Sequence, residues 1–299
     1  MTASDATGLA RLPFPDALKR AQTAIALDIN QKPQPHLSVP LRDAMLYALD
    51  GGKALRGFLV FESARLHEIS QSKATPAALA IECMHAYSLI HDDLPCMDDD
   101  DLRRGKPTVH KKWNEHTAVL AGDALQTMAF ELLSNVEAAP QQVVPLVRSM
   151  AQAAGHMGMV GGQMLDIAAE TSALPLTLDQ IIAVQNGKTG ALIKWSATAG
   201  AMMAGANTDA LETYGDRLGL AFQIADDILD VTGDASTVGK AVGKDADAGK
   251  ATFVSLLGLD GAKRRATDLV TQACDCLSNY GDDAETLREA ARFVIAREK

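Results

Sequence analysis

Cysteine is scarce in this 299-residue chain: Cys83, Cys96, Cys274 and Cys276 are the only four. They show neither paired metal-ligand spacing nor the density of a disulfide scaffold, which points to a reducing compartment. Long apolar runs are missing, since no stretch reaches the ~18 charge-free residues that a spanning helix needs. The N-terminus, with Asp5, Pro13 and Pro15, lacks the basic start and unbroken apolar core of a signal peptide. A cytoplasmic protein without stable membrane association is expected. Positive charge is also in deficit, at a net −10, which excludes nonspecific nucleic-acid binding because that needs a basic face to replace phosphate counterions. An acidic protein that takes an acidic ligand has to reverse the sign locally, and metal ions with clustered cations would do so. Alternating strand patterns bounded by turn residues are absent, as are repeats, low-complexity tracts and linkers long enough to separate domains. The chain therefore reads as one domain over residues 1–299.

What is present is helical periodicity. Leu218, Ala221, Phe222, Ala225, Ile228 and Leu229 fall at the i, i+3, i+4, i+7 spacing of one buried face. Similar stripes run through 40–68, 74–93, 115–137, 141–158 and 178–205. Breaks are expected at Lys32–Pro40, near Thr75-Pro76, at Ala139-Pro140, around Thr171–Thr177, at Ala204–Thr208 and across Thr232–Lys250. Ala, Leu and Met outweigh the β-branched and aromatic residues that strands favour. The fold class is all-α.

Against that background the acidic residues are unusual. Asp outnumbers Glu 27 to 11, although Asp is the poorer helix former because it competes for backbone hydrogen bonds. Nine of those Asp lie in two clusters, His91–Gly105 (HDDLPCMDDDDLRRG) and Gln223–Asp230 (QIADDILD). In the second, Asp226 and Asp230 share a helix face within about 40°, with Asp227 beside them. Three carboxylates at a helix C-terminus repel one another and oppose the macrodipole, so cations are expected there; a solvated terminus is the competing explanation. In the first, Asp92 and Asp93 are followed by Asp98, and Pro95 loosens the helix so that Asp98 turns back toward the pair. Asp99 to Asp101 read as a solvated run. Mg²⁺ is held by one or two carboxylates plus substrate phosphates, so two such claws imply a diphosphate.

The cations near the claws fit that ligand. Arg103 and Arg104 follow the first claw, offering planar bidentate donors to phosphate, with a salt bridge to the preceding Asp run as the competitor. Gly51-Gly52-Lys53-Ala54-Leu55-Arg56 opens a helical stretch with two cations three apart. His85 lies on nearly the same face as Asp92, about 10 Å lower. The glycines between Thr232 and Lys250 space Lys240, Lys244 and Lys250 in a manner that suits a lid closing on phosphate. A Walker loop is excluded there by one residue too many and by the missing Ser or Thr after the Gly-Lys. Glu82 and His85 form an ExxH, half of a carboxylate di-iron site, but no second ExxH exists in the chain. Cys96, inside the first claw, reads as a buried small apolar residue.

Taken together, these segments resemble the trans-isoprenyl diphosphate synthase family, specifically the short-chain bacterial farnesyl diphosphate synthase type. The likeness extends through Gly162-Gln163 with Asp166, Gly187-Lys188-Thr189-Gly190 and Phe222-Gln223 to Arg297. It implies a single polyprenyl synthetase domain, an all-α isoprenoid synthase bundle around a deep central cavity, in a homodimer. It assigns Asp92, Asp93, Asp98, Asp226 and Asp230 to three Mg²⁺ ions on an allylic diphosphate, with Arg103, Lys188 and Lys240 completing that site. Lys53, Arg56, His85 and Arg104 are implied to hold isopentenyl diphosphate, with Lys250 as a further substrate contact. Thr189 and Gln223 are implied to line the reacting centre. The implied product is farnesyl diphosphate, with Tyr87 as the floor that stops growth, about 7.5 Å below Asp92. A simple wheel places Ser88 more directly under Asp92, which leaves a geranylgeranyl product open. Gln163 and Asp166 are left between direct contact and support.

Two rivals share the Asp-rich character. A class I terpene cyclase pairs one Asp-rich motif with an Asn/Ser/Glu motif and has no use for a second diphosphate site, whereas both motifs here are Asp-rich. A noncatalytic partner subunit would have lost carboxylates from one claw, and both are intact.

Overall fold

The computed structural model describes residues 10–31, 39–170, 175–232 and 252–296. Thirteen α-helices run through them: α1 Phe14–Gln31, α2 Val39–Leu49, α3 Leu55–Leu66, α4 Gln71–Asp92, α5 Val109–Lys112, α6 Glu115–Ser134, α7 Pro140–Ala154, α8 Met159–Glu170, α9 Leu178–Gln185, α10 Ala191–Ala204, α11 Asp209–Thr232, α12 Phe253–Asp275 and α13 Glu285–Ala296. A π-helical turn, Asn186–Gly190, joins α9 to α10, and a 3₁₀ segment, Ser278–Ala284, precedes α13. Among the described residues the strands are a two-residue pair, β1 Leu102–Arg103 and β2 Lys106–Pro107. The fold is all-α, as the periodicity requires.

Helices α3, α4, α10 and α11 form the centre, with α6 outside α4, α12 outside α11 and α7 against α10. Their composition explains the placement. From Ala77 to Met84 every residue of α4 is buried, and all but Glu82 are apolar, so this stretch is buried all round rather than on one stripe, the pattern of an interior helix. Each fully buried side chain such as Leu79 or Ile81 contributes roughly 1.5–3 kcal/mol of apolar burial. Small Ala side chains between them let neighbouring helices approach closely.

Two expected boundaries shift. The stripe over 40–68 is divided into α2 and α3 by Asp50–Ala54, where Gly51 and Ala54 both take positive φ (75° and 50°). The break expected at Thr75-Pro76 is absent, and α4 runs through Pro76. As the sixth residue of the helix, Pro76 forfeits one amide bond, to the Ser72 carbonyl, a loss outweighed by the burial of the helix from Ala77 onward. The other breaks hold where residues are described: Pro140 is the first residue of α7, and α10 stops at Gly205 in the left-handed conformation.

Candidate active site

Helix α4 ends at Asp92, and the chain then turns back on itself. The Asp98 amide donates to the Asp92 carbonyl at 2.9 Å and the Asp99 amide to the Leu94 carbonyl at 3.1 Å. Asp98 thus returns beside the pair, as expected from Pro95. Asp93 is 3 % exposed and clasped by Arg103, whose Nε donates to Oδ1 and Oδ2 at 2.7 and 3.0 Å. The expected competitor for Arg103, an aspartate of its own cluster, is therefore its partner without substrate. Burial, with Asp98 and Asp93 adding to it against Lys188 and Arg103, pushes the Asp92 carboxyl up to about 6. Burial likewise raises Asp93 against the pull of Arg103. Carboxylates so disfavoured in their charged form suit a divalent cation, and among the described residues no three metal-type side chains form a closed cage. An open set of this kind fits Mg²⁺, which takes its remaining ligands from water and phosphate.

Arg104 and Gly105 form the turn between β1 and β2, with Arg103 paired to Lys106. Both have positive φ (54° and 73°), the mark of a two-residue type I′ turn. The turn sends the adjacent arginines different ways. Arg103 goes to Asp93, while Arg104 reaches the Asp50 carbonyl with Nη1 at 3.3 Å, and Lys106 pins the hairpin to the Asp50 carboxylate at 2.7 Å. Arg104 thereby joins Arg56 and His85. Burial, and then the charges of Arg56, Arg104 and Arg103, hold the His85 imidazole well below its ordinary range, so it is neutral. Burial also lowers Arg56, offset by Glu82 and Asp226. The Arg56 Nε is buried without a hydrogen-bond partner, a donor left over at the face where cations gather. Lys53, in the loop before α3, is exposed, and its carbonyl accepts from Gln22.

Sequence reasoning missed Glu82. Treated there only as half of a di-iron pair, it lies under the arginines. Its Oε1 accepts the Gly57 amide at 2.7 Å, which caps the first turn of α3, and its charge faces Arg56 and Arg104. Burial raises its pKa, and those contacts pull it back. The ExxH spacing that suggested iron was the one visible signal: it puts Glu82 one turn before His85, on the same side of α4.

The π-turn supplies the opposite wall. Lys188 Nζ meets Asp166 Oδ2 of α8 at 2.6 Å and also acts on Asp92. Asp166 is thus a direct partner of Lys188. The turn is wedged between two helices by glycines. A Cβ on Gly162 of α8 would lie 2.1 Å from the Lys188 amide nitrogen, and one on Gly219 of α11 would lie 3.0 Å from Gly190 Cα. Gln223 of α11 donates to Gln185 at 2.7 Å, and Thr189 is half-buried in the turn. Gln163 is buried with both amide atoms unpartnered.

Asp226 and Asp230 stand half-buried on the last turns of α11. The influence of Asp226 on Arg56 places the second claw across from the arginine group. Asp227 turns away and accepts the Phe253 amide at 2.7 Å, anchoring α12. Tyr87 is buried, and the Ser88 hydroxyl is spent on the His85 carbonyl at 2.8 Å. One expectation fails: Cys96 is exposed, because the chain has left α4 before reaching it and Pro95 carries the loop outward. Lys240, Lys244, Lys250 and Arg297 lie outside the described residues.

The Polyprenyl synthetase family model matches residues 39–291. The chain is 43 % identical to the farnesyl diphosphate synthase of Escherichia coli K12 over 96 % of its own length and all of that protein's. It is also similar to two solved structures. One is an FPP/GFPP synthase from Zymomonas mobilis (TM-score 0.86, 45 % identity, 94 % of this chain and 98 % of that one). The other is a Helicobacter pylori geranyltransferase complexed with magnesium and isoprenyl diphosphate (TM-score 0.81, 34 % identity, 96 % and 98 %). Helical bundle, paired aspartate clusters and flanking cations define a prenyltransferase acting on isoprenyl diphosphates. The chain belongs to the polyprenyl synthetase family.

Proposed function

We propose that this prenyltransferase condenses isopentenyl diphosphate with dimethylallyl and then geranyl diphosphate to give farnesyl diphosphate. The observation that carries the reading is the pairing of an open carboxylate set, Asp92, Asp93 and Asp98, with a separate arginine group, Arg56 and Arg104 around neutral His85. Two anionic head groups are thereby accommodated at once, one by carboxylates through metal and one by cations directly. Three Mg²⁺ ions held by Asp92, Asp93, Asp98, Asp226 and Asp230 would neutralise the allylic diphosphate and stabilise it as it leaves.

The protein's own groups do the rest. Arg103 exchanges Asp93 for the allylic diphosphate, and Lys188 adds charge from the π-turn, with Lys240 in the same role. Stabilising the leaving group more than the bound substrate lowers the barrier to carbon–oxygen cleavage. Lys53, Arg56, His85 and Arg104, with Lys250, fix the isopentenyl diphosphate so that its double bond meets the allylic cation before water does. Thr189 and Gln223 line the reacting centre. The departing diphosphate accepts the proton lost from the condensed cation, so no protein base is required. Tyr87, beside Ser88 on α4 below the claw, sets the fifteen-carbon limit.

The whole chain, residues 1–299, serves as one domain in a cytoplasmic homodimer. Support for the dimer comes from apolar side chains left exposed on α6 (Val119, Leu120) and on α8 (Val160, Met164, Leu165), which a second copy would cover. No described helix is long and apolar enough to cross a membrane. The test is incubation with Mg²⁺, isopentenyl diphosphate and dimethylallyl diphosphate, then phosphatase treatment and chromatography of the alcohols. Farnesol is expected. Geranylgeraniol would overturn the chain-length assignment, and no elongated product from folded, metal-loaded protein would overturn the reaction.

A further inference from the structure

The product-length reading rests on Tyr87, and the structure shows what holds that ring. His91, one turn above it on α4, packs edge-on against Tyr87 with ring centroids 5.4 Å apart and planes at 89°. The His91 ring is inserted against α6: its Nε2 lies 3.0 Å from the Val119 carbonyl and 4.0 Å from Asp123 Oδ1. Gly122 makes the insertion possible, because a Cβ there would sit 2.1 Å from His91 Nε2 and 2.5 Å from Cδ2. From the same helix, one turn on, the Gln126 side chain faces the Tyr87 hydroxyl as its polar neighbour. The tyrosine is thus flanked at both ends, its ring by His91 and its hydroxyl by Gln126, and both supports are anchored to α6.

We infer that His91 and Gln126 are positioning residues for product length, holding Tyr87 in its blocking rotamer through a notch in α6 at Gly122. The inference rests on Tyr87 being the floor, and it adds that Tyr87 blocks only while clamped. A free tyrosine on a helix has more than one staggered χ1 well. Without its supports the ring would swing aside and admit a longer chain, although its volume is unchanged. Neither residue is placed on the diphosphates, so their loss acts on where elongation stops.

The test is the ratio of twenty- to fifteen-carbon product in His91→Ala, Gln126→Leu, Tyr87→Ala and the His91→Ala/Tyr87→Ala double variant, with total isopentenyl incorporation measured in parallel. Gln126→Leu keeps the bulk of a half-buried site and serves if His91→Ala folds poorly. Each single variant is expected to raise the ratio by about tenfold, the scale of one pocket contact. The double variant is expected to match Tyr87→Ala, because the two residues act through one ring. If Tyr87→Ala lengthens the product while His91→Ala and Gln126→Leu do not, the clamp is wrong and the floor stands. Additive effects in the double variant would also overturn the clamp. An unchanged product in Tyr87→Ala would remove the floor, and the clamp with it.

Discussion

Asp92 illustrates how a single residue can be set against the stability of its own fold. Its carboxyl titrates at about 6, above its unfolded value near 3.8. The proton is therefore held more tightly in the folded protein. The associated stability is complete below about pH 4 and is lost as pH rises through 6, on the order of 3 kcal/mol at neutral pH without metal. Asp92→Asn is accordingly expected to raise the melting temperature at pH 7.5 in chelator, and to give no gain near pH 4. Its turnover is expected to fall at least about a hundredfold. A variant that is no more stable at pH 7.5 would show that burial does not strain this carboxylate. Burial raises Glu82 in the same direction, but this carboxylate has fixed partners in the Gly57 amide and the charges of Arg56 and Arg104. Glu82→Gln leaves the Gly57 amide an acceptor but removes the charge facing Arg56 and Arg104. The expected result is a rise in KM for isopentenyl diphosphate of about tenfold with little change in kcat, measured by steady-state kinetics.

At the level of elements, the π-turn Asn186–Gly190 is the part of the site most dependent on close backbone approach. A methyl group on Gly162 meets the Lys188 amide, which no rotamer change can relieve. Gly162→Ala is expected to cost about 1–3 kcal/mol and to depress turnover with it, checked by thermal unfolding and by assay. This element also marks the boundary of what the sequence reveals. The carboxylates were legible because Asp226 and Asp230 are four apart on one helix, and because Pro95 ends α4 where Asp98 must return. The Lys188–Asp166 pair and the Glu82–Gly57 bond were not legible. They join residues 22 and 25 positions apart on separate helices, and periodicity within one helix carries no information about its neighbour. Pro76 misled for a related reason, since a proline early in α4 removes little of the helix's hydrogen bonding and a breaker signal overstates its effect there.

For the whole molecule, the acidity of the chain and the anionic character of its substrates meet only at the site. Mg²⁺ with a nonreactive diphosphate is expected to raise the melting temperature by about 5 °C at saturating concentration, since a ligand at 100 times its Kd stabilises by about 2.7 kcal/mol. Either component alone is expected to give less than half of that shift. If the dimer forms through α6 and α8, Leu120→Asp is expected to give a protomer-sized species by light scattering. Retained dimer would move the interface elsewhere.

The glycines that bring α8, the π-turn and α11 into backbone contact have a consequence for how such an enzyme can diversify. The proposed head-group site is spaced by main chain at Gly162, Gly187 and Gly219, where a side chain is a steric error. The proposed control of product length, in contrast, rests on side chains of α4 and α6. Mutation can therefore explore new products while leaving the reaction itself intact, so inheritance of the chemistry and drift of its output are uncoupled by construction.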